Sequence, residues 1–367
     1  MKIIGMNSSQ RGLSLVELMI AMLLGLFLIG GLLQIFISSR QTYRMQEGLS
    51  RLQENGRFAI DFISRDIRMA GFLGCNSQAT IDNKLNMPTP PTDFIYDFNT
   101  VIEGFEAISA TAWTPAINAA ITSPLGGSDV ITIRRADAQG FAVTAYTNAD
   151  LTLDTSTSTS TIKPILTASN ANLTASSDNL KTAGFLNSSG GNNCAIAVIS
   201  GCVVGDVATV FQVSAITGSV LAHGTGVCSP GNDASSNWSP TYVGGQVFPI
   251  NTISYYIRTN SIGQPSLYYR IGSGSAQEIV EGIENMQILY GVDTDVDGAA
   301  NYYVTADVVP DWTQVVSVRI SLLAATIDNN LTDQPLPYTW NGATITPTDR
   351  KIRRVFNTTL AVRNRLP

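Results

Sequence analysis

The sequence predicts an α+β protein: one long N-terminal α-helix, membrane-spanning and then amphipathic, packed on a large antiparallel β-rich domain. Three observations carry this. Residues 18–37 form an apolar run without a charge. Apolar and small residues then recur at three- and four-residue spacing as far as Ala70. Beyond Cys75 the pattern changes to short β-branched and aromatic runs between Gly, Pro, Asn and Asp.

The apolar run sets the first element. About 20 residues at about 1.5 Å each give roughly 30 Å of helix, the thickness of a bilayer's hydrocarbon core. A cleaved secretory signal has an apolar region of about 7–15 residues and a small-x-small site after it; this run is longer, and Phe36-Ile37-Ser38-Ser39-Arg40 offers no such site. A plain anchor explains the length but not Glu17, because an acid at membrane depth costs on the order of a few kcal/mol, less near the interface. Cleavage between Gly12 and Leu13 accounts for both. Glycine presents an unhindered backbone to a protease, and the hydrophobic helix stays on the mature chain. The new α-amino group at Leu13 titrates at about pH 7.7–8 and is largely cationic at neutral pH. Glu17, four residues on and on the same helix face, pairs with that amine or a neighbour's. In hydrocarbon such a pair acts as a register device between packed helices.

Gly12-Leu13-Ser14-Leu15-Val16-Glu17-Leu18 resembles the type IV prepilin (class III) signal. The resemblance implies cleavage after Gly12 by a membrane-embedded prepilin peptidase, N-methylation of Leu13, and a Glu17 that guides docking into a growing filament. Phenylalanine is usual in that family where this chain has Leu13. Lys2 and Arg11 argue for a cytoplasmic leader, but Arg40 and Arg44 stand just past the other end of the run, so counting positive charges does not decide the orientation. The leader resemblance does, and implies an inner-membrane subunit with a periplasmic C-terminal domain, later incorporated in an extracellular pilus.

The second half of the helix follows from Met45, Leu49, Leu52, Gly56, Ala59, Ile63, Ile67 and Ala70, with Arg51, Glu54, Arg57, Asp61, Arg65 and Asp66 largely between them. A helix over 13–70 is roughly 87 Å long, and Gly71 is its natural stop. Gly25, Gly30-Gly31, Gly48 and Gly56 are read as small residues for close helix packing, with local melting on filament entry as the alternative. The organisation is therefore a leader over 1–12, a membrane span over 13–37, an amphipathic periplasmic half over 38–71, and a β-rich periplasmic domain over 72–367. A Ser/Thr/Asn-rich insertion at about 147–193 is read as surface loops and irregular strands.

Within the β-rich part, strands are predicted over 130–133, 207–213, 253–257 and 315–323, several antiparallel with one buried face. The last strand falls at 351–363. Ile352, Phe356, Leu360 and Val362 share its inner face, and Lys351, Arg353 and Arg363 share a solvated outer one.

The resemblance narrows here to the PilW group of minor pilins. It rests on Arg57-Phe58, Arg68-Met69-Ala70-Gly71-Phe72, Gly205-Asp206-Val207 with Val210-Phe211-Gln212-Val213, and Tyr290-Gly291-Val292-Asp293. Val318-Arg319-Ile320-Ser321-Leu322-Leu323, Arg353-Arg354-Val355-Phe356 and Arg363-Asn364-Arg365 complete it. It implies a low-abundance subunit that helps initiate or cap a type IV pilus, with other minor pilins, the major pilin and a tip adhesin as partners. The alternatives are a tip-located adhesive or ligand-binding subunit, and a J-type minor pseudopilin of a type II secretion system.

Composition agrees with an extracytoplasmic β-rich chain: 44% hydrophobic, 14% charged, 31 glycines. Losing Lys2 and Arg11 with the leader takes the basic side chains from 22 to 20 against 28 acidic ones, so nucleic acid is not an expected partner. Cys75, Cys194, Cys202 and Cys228 make an even count, which in an oxidising compartment reads as two disulfides with three connectivities. The local pair Cys194 and Cys202 is preferred, on condition that the chain turns near Ser200-Gly201, because a straight strand holds them roughly 27 Å apart. Zinc lacks its usual Cys spacing.

The sharpest soluble motif is Asp293-Thr294-Asp295-Val296-Asp297-Gly298-Ala299-Ala300-Asn301. Carboxylates at positions 1, 3 and 5, Gly at 6 and a polar side chain at 9 fit the first part of a calcium loop. Position 12 is Val304, so a structural calcium there needs a ligand from elsewhere; the alternative is a solvated Asp-Gly turn between strands. His223, the sole histidine, is predicted in an exposed turn with no companion for a metal or a triad. No nucleophile elbow, Walker loop or dinucleotide fingerprint is present. No enzyme activity is expected and no cofactor is required.

Overall fold

The structure, a computed structural model, describes residues 14–74, 79–86, 94–146, 150–154, 180, 184–185, 194–201, 207–217, 220–225, 228–233 and 245–365. Its first element is α1, Leu15–Met69. Ser14 caps the N-terminus from an extended backbone, and the Ala70 amide returns to the Ile67 carbonyl at 3.1 Å. Gly71 follows at φ +74°, the left-handed conformation that ends a helix without a Cβ clash. Of the predicted stripe, Leu52, Gly56, Ala59, Ile63, Ile67 and Ala70 are buried, and Met45 and Leu49 half-buried.

The strands that position α1 are β1 (Ile102–Ala107), β2 (Val130–Ala136), β3 (Ile196–Ser200), β4 (Val207–Gln212), β5 (Gln246–Thr259), β6 (Pro265–Ile271), β7 (Gln277–Glu281), β8 (Ile283–Val292), β9 (Tyr302–Val304), β10 (Val315–Ala325) and β11 (Arg353–Ala361). β5 is the hub of the larger sheet. Its first residues pair antiparallel with β3 on one edge and Phe141–Tyr146 on the other, and its second half runs between β2 and β6. A strand with neighbours on both edges and packing on both faces needs an almost unbroken apolar run, and Val247, Phe248, Ile250, Ile253, Tyr255, Tyr256 and Ile257 supply it. The smaller sheet is antiparallel in the order β9, β8, β10, β11. The buried face of α1 shares one core with β8, β10 and β11 of this sheet and with β2, β5 and β6 of the larger one. Thr80–Asn83 pairs parallel with β4, an exception to the antiparallel rule that the long intervening chain permits.

Three expectations are corrected. His223 is 4% exposed, with its ring 5.9 Å from that of Phe211; the strand Val220–Ala222 just before it carries it inside, where the Asn232 side chain donates to its carbonyl at 2.9 Å. Arg353 does not face solvent. It meets both carboxylate oxygens of Glu284 at 2.6 and 2.9 Å, and both of Asp349 at 2.7 Å. Cys194 is bonded to Cys228, with Cα atoms 5.7 Å apart, and not to Cys202. Cys194 lies just before β3, where the Val213 amide reaches the Ala195 carbonyl and Cys228 Sγ lies 3.9 Å from the Val213 carbonyl. Position 202 follows the far end of that extended strand. Cys75 and Cys202 themselves lie outside the described residues.

Candidate functional site

The site is α1 read from end to end. Gly12 and Leu13 lie outside the described residues; Glu17 is within them. Its Oε2 accepts from the Ser14 amide at 2.9 Å and the Ser14 hydroxyl at 3.0 Å, while the Glu17 amide donates to Ser14 Oγ at 3.2 Å. This is a capping box, which satisfies orphan donors of the first turn and places a carboxylate at the positive end of the helix dipole. Sequence reasoning missed it, although Ser14-x-x-Glu17 carries its signature. From Leu15 to Ile37 the side chains are exposed around the whole circumference. Among the described residues α1 is the one helix long and apolar enough to cross a membrane. A Cβ built on Gly25, Gly30 or Gly31 meets nothing within 4 Å.

The lower half is clasped. Asp66, 8% exposed, accepts from the Tyr255 hydroxyl through one oxygen and pairs with Arg135 at 2.9 Å through the other. Arg135 also reaches Asp137 at 3.2 Å, which the Asn251 amide holds at 3.1 Å. Burial pushes the Asp137 carboxyl up against the pull of Arg135, and pushes the Tyr255 phenol well up, so Tyr255 stays a donor. A buried carboxylate with two charge-assisted bonds is satisfied, and it fixes the rotation of α1 on the sheet. Gly56 lets the Phe356 ring lie against the helix backbone, closer than a Cβ permits, and a Cβ on Gly48 would come within 2.8 Å of Leu331. The packing reading of the glycines holds for these two positions.

The acidic loop joins β8 to β9. Asp293, 5% exposed, accepts from the amides of Val296 at 2.7 Å and Gly298 at 2.8 Å. Burial raises this carboxyl, but those amides outweigh it and hold it below the usual range. Asp297 accepts from the Ala299 amide at 2.8 Å. Ligand oxygens of Asp293, Asp295 and Asp297 lie within 4.8 Å of one another. Asn301 turns its carbonyl oxygen to the Thr294 amide at 2.7 Å and its NH₂ to Asp295 at 3.2 Å. The loop as folded uses Asn301 as a brace across the turn.

With this geometry in place, two family models match. Prokaryotic N-terminal methylation motif covers residues 7–33, and Type IV Pilus-assembly protein W covers 254–364. Over those residues the chain is similar to PilW-type minor pilins. No curated protein and no solved structure matches it. The two matches fall on the two regions that the geometry separates. The first takes in Gly12, Leu13, Glu17 and most of the unpacked helix. The second takes in Tyr255, Leu331 and Phe356, which grip the packed half of the helix, and the acidic loop.

One further feature lacked any sequence signal. Asp129, between β1 and β8, accepts from the Ala107 amide at 3.0 Å and the Ile288 amide at 2.8 Å, tying the two sheets together. Burial pushes its carboxyl up to about 6. Burial, with the charges of Asp129 and Asp307, pushes neighbouring Glu106 up to about 7. Glu106 sits in β1, Asp129 just before β2 and Asp307 in a short 3-10 turn, so no local pattern announces them.

Proposed function

We propose that this chain is a minor pilin that helps initiate or cap type IV pilus assembly. Cleavage after Gly12 and N-methylation of Leu13 produce the mature subunit. The 13–37 segment stores it in the inner membrane and later packs among the helices of other minor pilins and the major pilin, with Glu17 setting register. The β-rich domain recognises its neighbours, a tip adhesin among them. The observation that supports this most is the division of one continuous helix into a wholly exposed apolar half and a clasped half. An apolar surface of that size is held for a membrane or for other helices. The first test is the N-terminus of the membrane-extracted protein, read by mass spectrometry in cells with and without prepilin peptidase. A chain beginning at Leu13 only when the peptidase is present is the expected result, and an intact Met1 in both strains sinks the proposal.

The close carboxylates of the acidic loop favour a structural calcium on Asp293, Asp295 and Asp297. Adding calcium after chelation is expected to raise Tm by a few degrees, and Asp295→Asn to abolish that rise. Identical melting with calcium and with chelator removes the ion from the account.

A further inference from the structure

Arg40 and Arg44 have no task in the fold. Both are exposed, they stand one turn apart on α1, and among the described residues neither side chain makes an ion pair or a hydrogen bond. The next basic residue along the helix is satisfied, since Arg51 meets Glu47 at 2.8 Å. Two like charges four residues apart disfavour a helix unless an anion lies between them. They also stand on the side of the span where positive charge is not favoured.

Their height supplies the anion. The apolar run ends at Ile37, so at about 1.5 Å per residue the Arg40 backbone stands roughly 5 Å and the Arg44 backbone roughly 10 Å beyond the hydrocarbon edge. The headgroup layer is about 5–8 Å deep on each side. Side chains of an α-helix tilt toward its N-terminus, here the membrane side, so both guanidinium groups lean back into that layer. Tyr43 between them is exposed, an aromatic with a polar tip suited to the same depth. The β-domain already rests on the helix at this level through Gln41, whose side chain donates to the carbonyls of Asn330 and Leu331 at 3.1 Å. Asp328 and Asp333 flank that loop, and neither pairs with these arginines.

We propose that Arg40 and Arg44 form a binding site for the phosphate of anionic phospholipid headgroups in the periplasmic leaflet. Guanidinium offers paired donors that match phosphate oxygens. Together with the Gln41 contact, the site holds the β-domain at a fixed height above the bilayer, and the subunit gives up these phosphates when it leaves for a filament. The proposal rests on the reading of 13–37 as the membrane span.

The test uses the full chain in nanodiscs of phosphatidylcholine with a minority of phosphatidylglycerol. Lipids that survive mild delipidation are counted by mass spectrometry. Near an anionic surface each arginine is worth roughly a fivefold preference. The wild type is therefore expected to retain phosphatidylglycerol well above its bulk share, and the Arg40→Gln, Arg44→Gln double variant to fall to near that share. Arg51→Gln, whose charge already has Glu47, is expected to behave as wild type. Equal retention by wild type and double variant overturns the proposal. If that equality comes with lost piliation in cells carrying the double variant, the arginines serve an acidic neighbour in the filament, and the headgroup site is again overturned. A chain that does not enter the disc overturns the membrane reading itself, an outcome distinct from insertion without lipid preference.

Discussion

The two halves of α1 share one backbone and differ in everything else. Apart from Glu17 and Gln34 the helix from Leu15 to Ile37 is apolar on every side, it packs on no other element among the described residues, and its glycines face open space. From Gln41 onward one stripe is buried against two sheets, its glycines are pressed on Leu331 and Phe356, and its one buried acid is paired. A helix that is hydrophobic all round has no preferred rotation until partners arrive; a helix with one stripe and one charged clasp has its rotation fixed by its own chain. The upper half leaves its rotation to whatever surrounds it, and the lower half has its rotation fixed by its own chain.

The contrast breaks most visibly on large-to-small substitution. Ile63→Ala, at a fully buried position, is expected to cost the β-domain about 2–5 kcal/mol in a denaturant melt of the detergent-solubilised protein. Leu26→Ala, exposed in the other half, is expected to shift that melt by less than about 0.5 kcal/mol. Similar losses from both would mean that the upper half packs on the domain after all.

The glycines sharpen it further. Gly56→Ala drives a methyl into the Phe356 ring and is expected to cost about 1–3 kcal/mol, against the roughly 1 kcal/mol that alanine gains over glycine in a helix. Gly30→Ala should show the gain alone in the isolated subunit, and a penalty should emerge only where helices pack in a filament. A neutral Gly56→Ala would mean that Phe356 swings aside.

The smallest effect is in pH. Glu106 at about 7 and Asp129 at about 6 bind protons more tightly in the folded chain than in an unfolded one, where they titrate near 4.5 and 3.8. Their cost is absent below the unfolded values and grows as pH rises through the folded ones, so stability should fall between about pH 4 and 7. Asp349, held at about 2 by Arg353, works in the opposite direction and only below that window. Tm is expected to be a few degrees higher at pH 5 than at pH 8, with the difference reduced in Glu106→Gln. Because both acids sit in the β-domain, truncating the upper half of α1 should leave the slope unchanged. A flat wild-type profile would remove the buried acids from the stability account.

Much of the helix was legible beforehand. The stripe from Leu52 to Ala70, the stop at Gly71, and strands within β2, β4, β5 and β10 follow from spacings of two to four residues, which report local geometry directly. The Glu17 capping box was legible and overlooked. His223 was misplaced because nearby glycines signal a turn but say nothing about Phe211 lying over it. Strand alternation places Arg353 toward solvent because it cannot know that Glu284 and Asp349 converge on that side. Cys228 was passed over for Cys202 because proximity in sequence is a poor guide across an extended strand.

By itself the sequence determined the length of α1, its apolar and amphipathic divisions, the leader motif and the β character of the remainder. Each depends on residues within a few positions of one another, whose relations the chain fixes covalently. Only the tertiary structure decided which charges are paired, which cysteines bond, how Asp66 sets the rotation of α1, and which arginines are left without a partner. Desolvation and ion pairing depend on atoms brought together from distant parts of the chain, 69 residues apart for Asp66 and Arg135 and 189 for Asp66 and Tyr255, and those meetings are made by the two sheets that close on the helix.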